Sequence, residues 1–295
     1  MLQKLIFLTA LSLSTIYQVS YSQAFFAGIQ VGASHYQGDL LNDISAIRTA
    51  KPCFGVFGQY YPWKHLSVQL GLNAGKISGA DRYNIDAGLV ARNLSFESRI
   101  YEIYGIGQID LFHFERISLV PYVFAGFSYF RYNPYSYDRQ GNKVYLQPLH
   151  TEAQGSAAYP DRKIYSLENF AFPLGVGIKY HINSNYFIGI EMGLRKTNTD
   201  YLDDVSSSYA TEEVLLEYAG PKAVEMAFRG DELNSKAHYP NGNTRGNPDQ
   251  NDWYYITQLK IGIKPTFFFS SKHNKYAKRY NKRIFKNGKV KCPKF

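Results

Sequence analysis

The chain has 295 residues and a formal net charge of +9, with 26 Tyr, 20 Phe and 24 Gly. Aromatic and glycine content this high, with few Ala/Leu/Glu runs, argues against a helical bundle and for strands. Two cysteines, Cys53 and Cys292, are too few for a disulfide framework and lack metal-site spacing.

The charge is segregated. Residues 272–295 hold ten Lys or Arg and no acid; taking these and Lys4 from the total leaves 23–271 at −2. The body is near neutral and the tail is basic.

Residues 1–22 read as a secretory signal peptide: Lys4 gives the charged start, 5–16 an apolar run, and Ser20-Tyr21-Ser22 small residues for cleavage. No later apolar run approaches the roughly 20 residues of a spanning helix. The expected mature chain is exported and has no helical anchor.

Residues 66–75, LSVQLGLNAG, show the pattern that recurs. Alternate side chains of a strand face opposite ways, so Leu66, Val68, Leu70, Leu72 and Ala74 form one apolar face. Eight such strands are expected, at 24–36, 52–61, 66–79, 94–112, 118–132, 171–181, 186–195 and 253–269. The fourth is long and of unclear phase, which allows a bulge. Connections alternate between short (62–65, 113–117, 183–185) and long (37–51, 80–93, 133–169, 196–252). Short periplasmic turns, long external loops, an even strand count and strands of at least roughly 9–11 residues predict an eight-stranded antiparallel outer-membrane β-barrel over 23–271. Tyr60, Tyr61, Trp63, Tyr186, Trp253, Tyr254 and 267–269 are candidates for the interfacial aromatic girdles.

A barrel of eight strands is narrow enough for side chains to fill. Gln69, Asn73, Lys179, Glu191, Arg195, Lys260 and Lys264 lie on the non-apolar face and are expected to form a charged plug that excludes an open pore. Glycines on that face relieve crowding. The piece 212–228, broken at Gly220-Pro221, reads as helical and as a lid over the barrel mouth. In the tail, Tyr276, Tyr280 and Ile284 recur every four residues, a narrow apolar stripe on a basic helix ending near Gly288.

Several stretches together resemble the small Bacteroidota outer-membrane barrels of the PorG type, associated with type IX secretion and gliding. The more specific are Thr199-Asp200-Tyr201-Leu202-Asp203-Asp204-Val205-Ser206 and Arg245-Gly246-Asn247-Pro248. The others are Tyr36-Gln37-Gly38-Asp39-Leu40, residues 71–79, Arg92-Asn93-Leu94-Ser95-Phe96, Leu146-Gln147-Pro148-Leu149-His150-Thr151-Glu152, Pro173-Leu174-Gly175-Val176-Gly177 and Cys292-Pro293. The resemblance implies a non-enzymatic integral subunit that associates with a periplasmic ring of a PorK-like lipoprotein and a PorN-like protein.

The tail is the strongest functional signal. Lys278, Arg279, Lys282 and Arg283 offer attraction, Tyr276, Tyr280 and Ile284 packing, and Cys292 a covalent link to a partner. The anionic cell wall is a second surface such a tail would bind; a solvated tail, one lying on anionic lipid headgroups, and a thiol packed beneath the tail are the alternatives. Cys53 belongs near the outer end of its strand, too far from a periplasmic Cys292 for a bridge. Asp200, Asp203 and Asp204, with Glu212 and Glu213 nearby, have oxygen enough for calcium, but turns and caps explain them more simply, and no metal or cofactor is expected. The enzymatic alternative is a lipid-modifying barrel using His150, Glu152 and Ser156, or His35 and Asp39; no G-x-S-x-G motif supports it, so no catalytic residue is assigned. A passive envelope-stiffening barrel whose loops face and bind surface ligands is the third reading. A basic tail in the periplasm meets no nucleic acid.

Overall fold

Eight strands close on themselves. In the computed structural model, which describes residues 24–41 and 47–265, they are β1 (Ala24–Gln37), β2 (Lys51–Tyr61), β3 (Leu66–Ala80), β4 (Ser95–Asp110), β5 (Leu119–Arg131), β8 (Glu168–Asn183), β9 (Tyr186–Thr197) and β10 (Trp253–Ile263). They follow one another in the order β3-β2-β1-β10-β9-β8-β5-β4, and β4 pairs back with β3. Every neighbouring pair is antiparallel. Closure leaves the barrel without an edge strand, which a lipid environment requires because nothing there hydrogen-bonds an open edge. Each strand has at least 11 residues, enough to cross a bilayer. No helix among the described residues is long and apolar enough to do so.

The expected alternation holds around the wall. Ile29, Phe54, Leu70, Phe127, Val176 and Leu259 project outward, with Leu70 66% and Phe127 70% exposed. An apolar belt of this extent is a liability in water and the normal lipid-facing surface of a membrane barrel. Gln30, Gln69, Asn73, Glu191, Arg195 and Lys260 on the opposite faces are buried.

Several expectations need correction. β4 has no bulge: its pairing with β3 runs unbroken from Leu66↔Ile109 to Ala80↔Ser95. Among the described residues the register shifts between β8 and β9, at His181 and Asn183. Tyr60, Trp63, Tyr186 and Trp253 reach the exterior, but Tyr61 and Tyr254 are buried in the lumen, because adjacent residues on a strand face opposite ways. β10 ends at Ile263, so Lys264 lies past the strand, half-buried, with its backbone N–H bonded to Asn185 O at 2.8 Å. It is not part of the plug. A hairpin absent from the sequence reading, β6 (Pro134–Tyr137) with β7 (Lys143–Tyr145), extends β4 at the long-loop end.

The long loops carry α1 (Ala87–Arg92), α2 (Glu212–Ala219) and α3 (Pro221–Ala227). Gly220 joins the last two with φ +85°, a conformation that favours glycine, and Pro221 opens α3 where its missing N–H costs nothing. This is the lid expected at 212–228. Leu215, Ala223 and Ala227 pack it on Ala153 and Ala210. β1 starts, and β10 ends, at the short-turn end of the barrel: Ala24 pairs with Tyr61, and Ile263 with Tyr186.

Candidate functional site

The lumen holds three ion pairs stacked along the barrel axis. Nearest the short turns, Lys179 Nζ lies 2.9 Å from Asp110 Oδ1 and donates to Tyr61 OH at 2.6 Å. At mid-height Lys260 Nζ meets Glu191 Oε2 at 2.7 Å, and Tyr122 OH donates to the same oxygen at 2.8 Å. Towards the long loops Arg195 Nε is 3.3 Å from Glu102 Oε1, which also accepts from Tyr254 OH at 3.0 Å. All six charged side chains are buried.

Amides and hydroxyls link these layers. Asn73 donates to Glu102 Oε2, Gln30 and Gln258 donate to Asn73 Oδ1, and Gln69 donates to Tyr104 OH and accepts from Lys260. Unpaired, each buried charge would cost several kcal/mol; paired and hydrogen-bonded, they are a balanced filling of three cations and three anions. Glu102 and Asp110 were missed because Ile100, Tyr104 and Ile106 share the inward face of β4 and mask its polarity.

Glycine lets the lumen aromatics lie against the wall. A Cβ at Gly71 would fall 2.4 Å from the Tyr104 ring. Below the ion pairs, Phe114 from the turn after β4 stacks on His181 at 4.6 Å and packs edge-on to Phe26. Aromatic rings thus close the short-turn end, and no continuous aqueous path suits such a filling.

Loops tie the other end. Arg245 is the hub: Nη1 donates to Glu152 Oε1 at 2.8 Å and to Asp204 O at 2.6 Å. Glu152 also accepts from the backbone N–H groups of Ser206 and Ser207 and from Ser207 Oγ at 2.7 Å. Asp204 accepts from Thr151 Oγ1 and from Tyr165 OH at 2.6 Å. Arg92 donates to the carbonyl oxygens of Arg245 and Asp39 and forks onto Asp81, whose oxygens lie 2.6 and 2.8 Å away. Asp39 in turn accepts from Asn247 N. Tyr36 OH sits between two carboxyl groups, donating its one proton to Asp203 Oδ2, with Asp252 Oδ1 3.0 Å away on its other side. The motif residues Tyr36, Asp39, Arg92, Thr151, Glu152, Asp203, Asp204 and Arg245 therefore serve one knot in which four loops meet; Tyr201 OH joins it by donating to Glu152 Oε2 at 3.3 Å, and Asp200 lies buried beside it with no hydrogen bond to its carboxyl oxygens among the described residues.

The knot is acidic and buried. Burial pushes the Asp204 carboxyl up to about 6 against the pull of Arg245, and the Asp200 carboxyl up to about 8. Burial and neighbouring carboxylates push Asp203 and Asp252 well above the usual range. Burial would lower Arg245, but Glu152 and Asp204 outweigh it and hold the guanidinium charged.

Other candidates lie as follows. Asp203 and Asp204 point to different partners, while Glu212 and Glu213 begin α2 on its exposed side. No group of three His, Cys, Asp or Glu able to hold a metal occurs among the described residues. The Glu152 carboxylate is committed to Arg245 and loop donors, and His150 packs against Tyr218 at 5.9 Å between ring centres. His35 lies on β1 facing Tyr255 of β10, while Asp39 belongs to the knot. Cys53 is a buried free thiol, 3.7 Å from Gln258 Nε2. Tyr276, Lys278, Arg279, Tyr280, Lys282, Arg283, Ile284 and Cys292, with the signal-like segment, lie outside the described residues.

Comparison with solved structures finds similarity to several barrels. Neisserial surface protein A (NspA) aligns over 83% of this chain and 99% of its own, at 9% identity and a TM-score of 0.41. Ail, the attachment invasion locus protein of Yersinia pestis, aligns over 81% and 98%, at 9% identity and 0.37. The outer membrane protein OprG from Pseudomonas aeruginosa aligns over 82% and 97%, at 9% identity and 0.36. No curated protein matches the chain. Residues 3–217, well over half of the chain and including three of the four loops of the knot and the part of the fourth that carries Asp200, Asp203 and Asp204, match a described family: the protein belongs to DUF6089, a domain of unknown function.

Proposed function

We propose that this protein is an integral outer-membrane barrel that works as a non-enzymatic anchor for a periplasmic assembly, the ring of a type IX secretion or gliding machine. The observation that carries the reading is the exit of the chain. β10 delivers it at the short-turn end of a barrel filled by paired charges and capped by tied loops. Such a barrel suits holding better than conducting. With short turns in the periplasm, everything after Pro265 starts there, including the ten basic residues of 272–295.

In this reading Lys278, Arg279, Lys282 and Arg283 attract an acidic protein surface, and Tyr276, Tyr280 and Ile284 pack on it. Cys292 offers a disulfide to a partner thiol in an oxidising compartment. The partners are a PorK-like ring lipoprotein and a PorN-like protein.

The test is a native-membrane pull-down of the tagged full-length chain beside a version ending at Ser271. Ring components that accompany the full-length chain and vanish with the truncation support both anchor and tail. Recovery with both versions moves the contact to the turns or loops. Recovery with neither overturns the anchor reading. Membrane fractionation tests the location independently.

A further inference from the structure

Register, more than sequence, reveals a groove on the outside of the barrel. On the outward face, Phe54, Ala74, Tyr101 and Arg131 form one row across four strands, because Phe54 pairs with Ala74, Ala74 with Tyr101 and Tyr101 with Arg131. The next row towards the short turns is Val56, Leu72, Ile103 and Tyr129. Ala74 is the small residue between two aromatic ones, so the surface dips there. The result is a groove of about 620 Å³ lined by Phe54, Val56, Leu72, Ala74, Tyr101 and Ile103, with Arg131 at its edge. That size lies within the roughly 300–1,000 Å³ of small-molecule pockets.

One pleat towards the long loops the chemistry changes. Lys76 pairs directly with Arg99, both beyond the groove on the same outward face. Like charges directly opposite on neighbouring strands destabilise a sheet. Lys76 has Glu97 at 3.9 Å, shared with Lys51 at 3.0 Å; Arg131 has Glu168 at 4.0 Å, which also accepts from Tyr129 OH. Arg99 makes no ion pair among the described residues. Four cations thus face two carboxylates at the mouth of an apolar groove, an excess that an anion would relieve.

We propose that this groove binds a phosphate-bearing lipid of the leaflet beside the long loops. An acyl chain lies over Ala74 between Phe54 and Tyr101, and the phosphate meets Lys76, Arg99 and Arg131. Arginine forks match phosphate oxygens, and basic residues at the membrane surface attract anionic headgroups. A second copy of the chain fits this face poorly: packing two such faces at one membrane depth would set their cations against each other. The inference rests on the membrane reading above, with the long loops outermost.

The test uses the full-length barrel in detergent micelles, with diphosphoryl lipid A and its dephosphorylated form as probes, read by native mass spectrometry. One diphosphoryl lipid is expected to be retained, and loss of its phosphates should weaken binding by at least about tenfold, the worth of one charge-assisted hydrogen bond. K76A/R99A/R131A should weaken binding similarly. A74W should do so too, with every cation in place, by filling the floor. Folding is checked by resistance of the barrel to unfolding on an unheated gel; should the triple variant fail it, the exposed, unpaired R99A replaces it. Equal binding by both probes, undiminished binding to the variants, or a dimer in place of a lipid complex overturns the proposal. Because micelles are used, failure here leaves the location reading standing.

Discussion

Arg245 Nη1 lies 2.8 Å from Glu152 Oε1, a buried contact between residues 93 positions apart that joins the loop after β7 to the loop before β10. Around it the sequence motifs of four loops converge. Replacing Arg245 by Met leaves the buried Glu152 carboxylate with its Ser206 and Ser207 donors but without the guanidinium that balances its charge, a change expected to cost the cap about 3–5 kcal/mol. The barrel wall has its own hydrogen bonds and should survive. Limited proteolysis of micelle-embedded protein should show rapid cleavage within 146–165 and 199–250, with the strands protected.

The lumen pairs predict the opposite locality. Lys260→Met leaves Glu191 buried with only Tyr122 as a hydrogen-bond partner, and should destabilise the whole barrel by about 3–5 kcal/mol. Lys260→Met with Glu191→Gln removes both charges and should recover much of the loss. Urea unfolding in micelles, followed by tryptophan fluorescence, measures both; equal loss in single and double variants would contradict the pairing.

Two glycines of the wall separate crowding from backbone freedom. A Cβ at Gly177 would sit 2.3 Å from the Tyr122 ring, which Glu191 holds in place. Gly177→Ala is expected to cost about 1–3 kcal/mol through overpacking. Gly107 has nothing nearer than 3.9 Å, so Gly107→Ala should change stability by less than about 0.5 kcal/mol. The same unfolding assay decides between them.

The cap should tighten in acid. Asp204 and Asp200 have folded values raised to about 6 and about 8, so their protonated forms favour the folded cap. That stability is fully present below the unfolded value of about 4 and is lost as pH rises to about 6 and then about 8. Amide exchange in 199–206, corrected for intrinsic rates, should show greater protection at pH 5 than at pH 9. Asp200→Asn should flatten the upper part of that change.

The barrel was legible because its signal is local. Alternation in Ile188-Gly189-Ile190-Glu191-Met192 needs no knowledge of distant residues, and the loop lengths gave the topology. The lid at 212–228 was legible for the same reason, since Gly220-Pro221 breaks a helix wherever it falls. The knot was not. Thr151 and Asp204 are 53 positions apart, Asp39 and Asn247 are 208, and no period links them. Their side chains read as turn residues until closure of the sheet brings the loops together. Tyr61 and Tyr254 were misplaced because an aromatic residue suits both lumen and interface, and only parity separates the two.

The tied loops also bear on tension. A chain that leaves β10 at the short-turn end and is pulled from that side draws the barrel against its own cap. The cap is a folded mass joined by Arg92, Glu152 and Arg245, so it behaves as a stopper: withdrawing one strand means first untying loops from four places in the chain. Resistance to extraction therefore resides in the knot as well as in the strands, and a puller on the short-turn side works against both.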